Sequence, residues 1–104
     1  MHPLQLLAWF FGGATLINAI PHLVSGLMGK PFQSPFANPP GEGLSSPTVN
    51  VAWGFFNLLL SWLLLCQVGA FDLRVPVDAL AAGLGGVMIG LFCARHFGRF
   101  QQAG

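Results

Sequence analysis

Five side chains in the first 57 residues could bind a ligand inside an otherwise apolar chain. Asn18 and His22 are four residues apart, so they share one face of a helix. Asn50, Trp53 and Asn57 recur at helical spacing further along and form a second stripe. An imidazole beside carboxamides and an indole can hydrogen-bond a quinone-like molecule, and an imidazole can also ligate haem iron.

The sequence offers little support for catalysis by these side chains. The acidic residues Glu42, Asp72 and Asp78 all fall in loops or at segment ends, so His22 has no charged partner within an apolar segment. Zinc-binding HExxH and HxxxH spacings, a nucleophile elbow, a phosphate loop and a dinucleotide fingerprint are all missing from the sequence. We therefore expect a protein that is not an enzyme and predict no metal site and no resident cofactor. Quinone or haem near His22 is the alternative.

The composition indicates that lipid is the solvent for most of this chain. Hydrophobic residues make up 54% of the 104 residues and charged residues only 7%, against about 25% charged in soluble domains. So few charges cannot cover a water-soluble surface, and the sequence predicts an integral membrane protein. A net charge of +1 excludes binding to nucleic acid through neutralised phosphates.

Three charge-free segments predict an all-α bundle of three transmembrane helices. We expect a single membrane domain over residues 1–104, with helices at about 3–28, 47–70 and 76–95. A short basic-aromatic tail, 96–104, would follow the third helix and rest at the headgroup surface. Segment 29–46, between the first two helices, is rich in Pro and Gly, a spacing that predicts neither helix nor strand. Its interleaved Phe side chains favour a loop that packs over the helix ends or lies on the membrane interface.

Counting residues from the loop brings the two polar stripes to matching depths. Asn18 falls level with Asn57, and His22 falls level with Asn50 and Trp53. Because a polar side chain in hydrocarbon needs a partner, we expect an Asn18–Asn57 contact and a His22 contact near Asn50 and Trp53. These contacts would either join the two helices structurally or line a pocket beside His22.

Small residues mark a packing face on the first and third helices. The third helix has a small residue at every fourth position, and the first has an adjacent glycine pair; these residues are Gly12, Gly13, Ala82, Gly86, Gly90 and Ala94. Smooth ridges of this kind let helices approach closely in lipid. The third-helix ridge could pack within the bundle, or it could bind a second copy or a protein partner.

The basic residues indicate an orientation. Three helices put loop 29–46 and the C-terminus on one side, with Lys30, Arg95 and Arg99, and leave Arg74 on the other. The positive-inside rule predicts that the loop side is cytoplasmic, in a bacterial inner membrane. We expect a non-enzymatic accessory or interaction subunit of a membrane complex, or a homo-oligomer. The alternative is a binder of a lipophilic molecule between the first two helices near His22.

Overall fold

The computed structural model describes residues 2–101 and contains three long helices. Helix α1 spans Pro3–Leu27, α2 spans Pro47–Cys66 and α3 spans Pro76–Gly98. Each helix is long and apolar enough to cross a membrane. Two short strands, β1 (Phe32–Gln33) and β2 (Leu44–Ser45), pair antiparallel within the α1–α2 connection. We call residues 29–46 the hairpin and residues 67–75, between α2 and α3, the linker.

Each helix starts with a proline in its first turn, where the missing N–H has no cost. The His2 side chain accepts from the Leu4 backbone N–H at 3.1 Å, and the Ser46 hydroxyl accepts from Val49 N–H at 3.1 Å. These caps satisfy amide groups that have no partner within the helix. Helix α3 instead carries Asp78 in its first turn, where a carboxylate faces the positive end of the helix dipole.

Helix α2 ends at Cys66, four residues before the predicted boundary at about 70. Beyond it, Gly69 has φ +62°, a left-handed conformation that takes the chain out of the helix. The carbonyl of Val68 accepts a hydrogen bond from Trp9 Nε1 at 2.8 Å instead of a hydrogen bond within a helix. The linker is therefore tied back to the start of α1.

Helix α3 runs past the predicted boundary at 95 and ends at Gly98. Neither Gly nor Pro interrupts residues 91–97, so nothing in the sequence stops the helix earlier. As a result, His96 lies within the helix rather than in a separate tail, and Arg99 caps the helix. The predicted tail beyond Gln101 lies outside the described residues.

The prediction that the hairpin holds no strand is wrong. Phe32 pairs with Ser45, and Gln33 pairs with Leu44. Three residues that are not proline separate Pro31 from Pro35, which is enough room for this two-residue ladder. The hydroxyls of Ser34 and Ser45, 2.5 Å apart, lock the ladder from one side.

Helix α1 carries the packing, because both α2 and α3 lie against it while contact between α2 and α3 is minor. Gly13 sits against the carbonyl of Ala82, and Gly85 sits against the carbonyl of Phe10, so a Cβ atom at either glycine would overlap backbone atoms. A Cβ at Gly12 would meet the Leu65 side chain of α2 at 2.6 Å. Glycine is thus required on α1 and α3 for the backbones to approach this closely.

Only part of the predicted α3 ridge packs within the bundle. Ala82 and Gly86 face α1, and a Cβ at Gly90 would lie 3.8 Å from Ile17. Gly83, beside the ridge, has no heavy atom within 4 Å of its Cβ position, and Ala94 is exposed. A small-residue edge of α3 therefore stays uncovered in one copy of the chain.

Candidate functional site

The carboxamide of Asn50 is the most heavily bonded polar side chain at the hairpin end of the bundle. Its Oδ1 lies 2.7 Å from His22 Nδ1 on α1. Its Nδ2 donates to the carbonyls of Phe32 at 3.0 Å, Ser45 at 3.2 Å and Ser46 at 3.1 Å. Asn50 is 0% exposed. One buried side chain therefore joins α1, both hairpin strands and the start of α2.

These contacts determine which atoms of His22 carry hydrogen. Three carbonyl groups surround Asn50 Nδ2, and carbonyls only accept, so the amino group must point toward them. Asn50 Oδ1 is then the atom facing His22, and an oxygen accepts, so His22 Nδ1 must donate. In the neutral ring this leaves Nε2 with the lone pair.

Aromatic rings enclose His22 on the sides not occupied by Asn50. Phe32 from the hairpin, Trp53 from α2 and Phe97 from α3 have centroids 5.5, 6.3 and 6.0 Å from the imidazole. All three meet it edge to face. His22 is only 2% exposed. The imidazole is therefore in contact with the hairpin, α2 and α3.

Asn18, one turn deeper, bridges the three helices. Its Nδ2 donates to Asn57 Oδ1 on α2 at 3.2 Å, and its Oδ1 lies 3.7 Å from the thiol of Cys93 on α3. Asn57 Nδ2 in turn donates to the Trp53 carbonyl at 2.9 Å. Both predicted pairings, Asn18 with Asn57 and His22 with Asn50 and Trp53, are confirmed as contacts.

Trp53 has a polar atom that these contacts leave unused. Its Nε1 is buried and has no hydrogen-bond partner among the described residues. The indole packs against Phe36 at 5.2 Å and Phe56 at 5.7 Å, beside an outward-facing groove of about 430 Å³. A buried N–H without a partner is uncommon and suggests a role that the chain alone does not fulfil.

Residues on α3 and the hairpin also shape this end, although the sequence patterns did not reveal them. His96 Nε2 donates to the Gly41 carbonyl at 2.6 Å and so holds the hairpin tip against α3. Phe97 contacts both imidazoles, at 6.0 Å from His22 and 5.1 Å from His96. These contacts depend on how the Pro-rich segment folds back, which helical periodicity cannot predict. The run of apolar side chains in that segment was the available signal.

A third cross-helix bond lies deeper, where Ser61 Oγ donates to the Gly12 carbonyl at 2.7 Å. Together with Asn57 and Asn50 it completes a buried polar stripe along α2. The glycine lets the serine reach the α1 backbone. This stripe joins helices and needs no ligand to satisfy it.

The arrangement does not resemble a metal or haem centre. Within residues 2–101, no three His, Cys, Asp or Glu side chains come together as a ligand set. Haem at His22 Nε2 would require the aromatic rings around a 2% exposed imidazole to move apart. His96 is occupied by Gly41 and by Arg99, which donates to Nδ1 at 2.8 Å.

Comparison of the chain with protein-family models, curated proteins and solved structures finds no match. Its function is therefore argued from its own residues.

Replacing Asn50 by Ala should destabilise the bundle more than any other single change in the polar stripe. The variant takes the Nδ2 donor from the Phe32 and Ser45 carbonyls and the acceptor from the His22 N–H, at a cost of about 3 kcal/mol. The Ser46 carbonyl still accepts from the backbone N–H of residue 50. Asn18→Ala is the matched control, because interhelical hydrogen bonds in membrane proteins average about 0.6 kcal/mol. The free energy of unfolding is measured in mixed micelles, and hairpin order by limited proteolysis. Equal losses, with the Asn50→Ala hairpin still protected, would contradict this role.

Proposed function

We propose that this chain is an integral protein of a bacterial inner membrane, with the hairpin and the C-terminus in the cytoplasm. The 23 residues of α3 extend about 34 Å, enough for a hydrocarbon core of about 30 Å. Large apolar side chains on the outer faces are exposed, as lipid contact requires. Lys30, Arg95 and Arg99 lie at the hairpin end, against Arg74 at the linker end, which supports the orientation.

Carbonate extraction of membranes tests the insertion, because an inserted protein stays in the membrane fraction. Cysteine labelling tests the orientation. Glu42 and Arg74 are both exposed, so each is replaced by Cys in a background with Cys66→Ser and Cys93→Ala. We expect a membrane-impermeant maleimide applied to intact spheroplasts to label position 74 and to reach position 42 only after lysis. Labelling of both positions from the same side would overturn the three-span arrangement.

We infer a non-catalytic interaction role, which one observation supports: an apolar groove left open over α1. The groove holds about 530 Å³ near the linker end, between the end of α2 and the first half of α3. Leu16 and Ile17 lie along its floor, and Leu16 is 42% exposed. Because α2 and α3 pack on α1 without covering this face of it, there is room for one more helix beside α1.

The groove suits an apolar helix from a neighbouring chain. Gly83 leaves its α3 wall open at the Cβ position, and small residues allow close helix approach when lipid supplies no hydrophobic driving force. We propose that the occupant is a transmembrane helix of a larger membrane complex, for which this chain is an accessory subunit. A helix from a second copy would give a homo-oligomer through the same surface.

Photocrosslinking from Gly83 tests this proposal, with Gly98 as matched control. Both glycines lie on α3 with open space at the Cβ position, but only Gly83 lines the groove. We expect a photoreactive side chain at 83 to give one discrete protein adduct in membranes, and the same side chain at 98 to give none. The adduct mass separates a second copy from a different subunit. Gly83→Leu should abolish the corresponding native complex, whereas Gly98→Leu should not. Adducts with lipid alone would overturn the proposal.

A second candidate function is binding of a quinone-like molecule in the outward-facing groove beside Trp53, whose indole also borders His22. Trp53 Nε1 supports it, because this donor is buried and has no partner among the described residues. A ligand carbonyl could accept from Trp53 while the Phe36 and Phe56 rings pack its body. The discriminating measurement is mass spectrometry of lipid extracts from the purified protein. A stoichiometric quinone lost in Trp53→Phe but kept in Trp62→Phe supports binding, and ligand-free protein rejects it.

A further inference from the structure

A second groove lies on the outer face of α3 at the hairpin end, separate from the helix groove and from the His22 cluster. It holds about 540 Å³, and its lining combines an apolar lower half with a basic upper half. The lining residues are Met88, Leu91, Phe92, Arg95, His96 and Arg99. Every lining residue that the structure describes belongs to α3 or caps it, so the groove is an open surface of that helix and faces away from the bundle.

The basic half is built from two arginines one helical turn apart. Arg95 and Arg99 occupy positions i and i+4, so their side chains share a face. Neither arginine pairs with a carboxylate within residues 2–101, where the recorded ion pair joins Arg74 and Asp72 at the linker end. Among the described residues, the hairpin end carries three basic residues, Lys30 among them, against the acidic side chain of Glu42. Within residues 2–101, both guanidinium groups therefore lack an acidic partner and can bind an anion.

His96 holds one of these cations in place. Arg99 Nη2 donates to His96 Nδ1 at 2.8 Å, and Arg99 Nε lies 3.4 Å from the His96 carbonyl. The imidazole is fixed on its other edge by the Gly41 carbonyl, and it stacks on Phe92 with an interplanar angle of 8°. A guanidinium has five N–H donors, so three remain for an external oxygen. The arginine is therefore pre-positioned by the fold.

The apolar half continues below the arginines toward the middle of α3. Met88, Leu91 and Phe92 are 60%, 56% and 56% exposed. From Arg95 down to Met88 is seven residues, or about 10 Å along the helix axis. A ligand that follows this surface must have an anionic end and a hydrocarbon chain in line with it.

We propose that this groove binds one anionic phospholipid, with its phosphate between Arg95 and Arg99 and an acyl chain along Leu91 and Met88. The proposal rests on the membrane insertion of α3 argued above. In that setting the last turn of α3 lies at headgroup depth, where arginine side chains meet lipid phosphates. The guanidinium fork matches phosphate oxygens, and the apolar strip gives the site a length that a free phosphate ion does not fill.

Native mass spectrometry of the full chain in mild detergent tests the site, with phosphatidylglycerol as probe and phosphatidylcholine as the zwitterionic comparison. The Arg95→Gln/Arg99→Gln double variant should bind phosphatidylglycerol roughly 30-fold more weakly, about fivefold for each basic residue at an anionic surface. Arg74→Gln removes another exposed arginine, from the opposite end, and should bind like the unaltered protein. Arg95→Lys/Arg99→Lys keeps both charges and should retain most of the affinity.

Each of three results on lipid binding would overturn the proposal: unchanged binding by the double Gln variant, an equal loss in Arg74→Gln, or equal retention of the two lipids. Displacement of phosphatidylglycerol by millimolar inorganic phosphate would also overturn it, because the site would then recognise a phosphate ion alone. Carbonate extraction of each variant separates this failure from failure of membrane insertion. A variant that stays in the membrane but no longer selects phosphatidylglycerol informs on the lipid site and not on membrane insertion.

Discussion

The buried carboxamide of Asn50 is the interaction on which the hairpin end of this protein depends. The backbone carbonyls of the Pro-rich hairpin have few regular partners, because its ladder holds only two residue pairs. Asn50 gives three of them one donor group and presents its oxygen to His22 on the neighbouring helix. The segment becomes an ordered cover because one α2 side chain satisfies both its strands.

A second constraint, close backbone approach at glycine, sets the shape of the rest. Gly13 and Gly85 bring α3 onto α1. Gly26 does the same for the start of α2, because a Cβ there would lie 2.7 Å from the Pro47 carbonyl. A central helix with two partners leaves its remaining surface open, which produces the apolar groove along Leu16 and Ile17. The shape is that of a bundle with a place for another helix. The proposed role as an interaction subunit follows from that open place.

The sequence predicted the helical architecture and the pairing of the polar stripes, because both follow from helical geometry. Four-residue spacing and the count of residues from the loop were enough to predict the contact between His22 and Asn50. The hairpin ladder, the His96–Gly41 contact and the early end of α2 could not be predicted in this way. They arise from tertiary contacts of irregular backbone, such as the bond from Trp9 to Val68. The Pro and Gly content showed where regular helix stops but not how the chain folds back.

His22 and His96, the two histidines at the hairpin end, should be opposite tautomers, and this difference offers the most direct test of the account. The Asn50 network requires the His22 proton on Nδ1, whereas His96 must carry its proton on Nε2 to donate to Gly41 and accept from Arg99 at Nδ1. Nitrogen-15 NMR of the imidazoles in lipid distinguishes the two forms by the chemical shifts of protonated and unprotonated nitrogen. We expect the His22 ring to be protonated at Nδ1 and the His96 ring at Nε2. A His22 ring with a bare Nδ1 and a protonated Nε2 would contradict the account, because Asn50 would then have to turn its amino group away from the hairpin carbonyls.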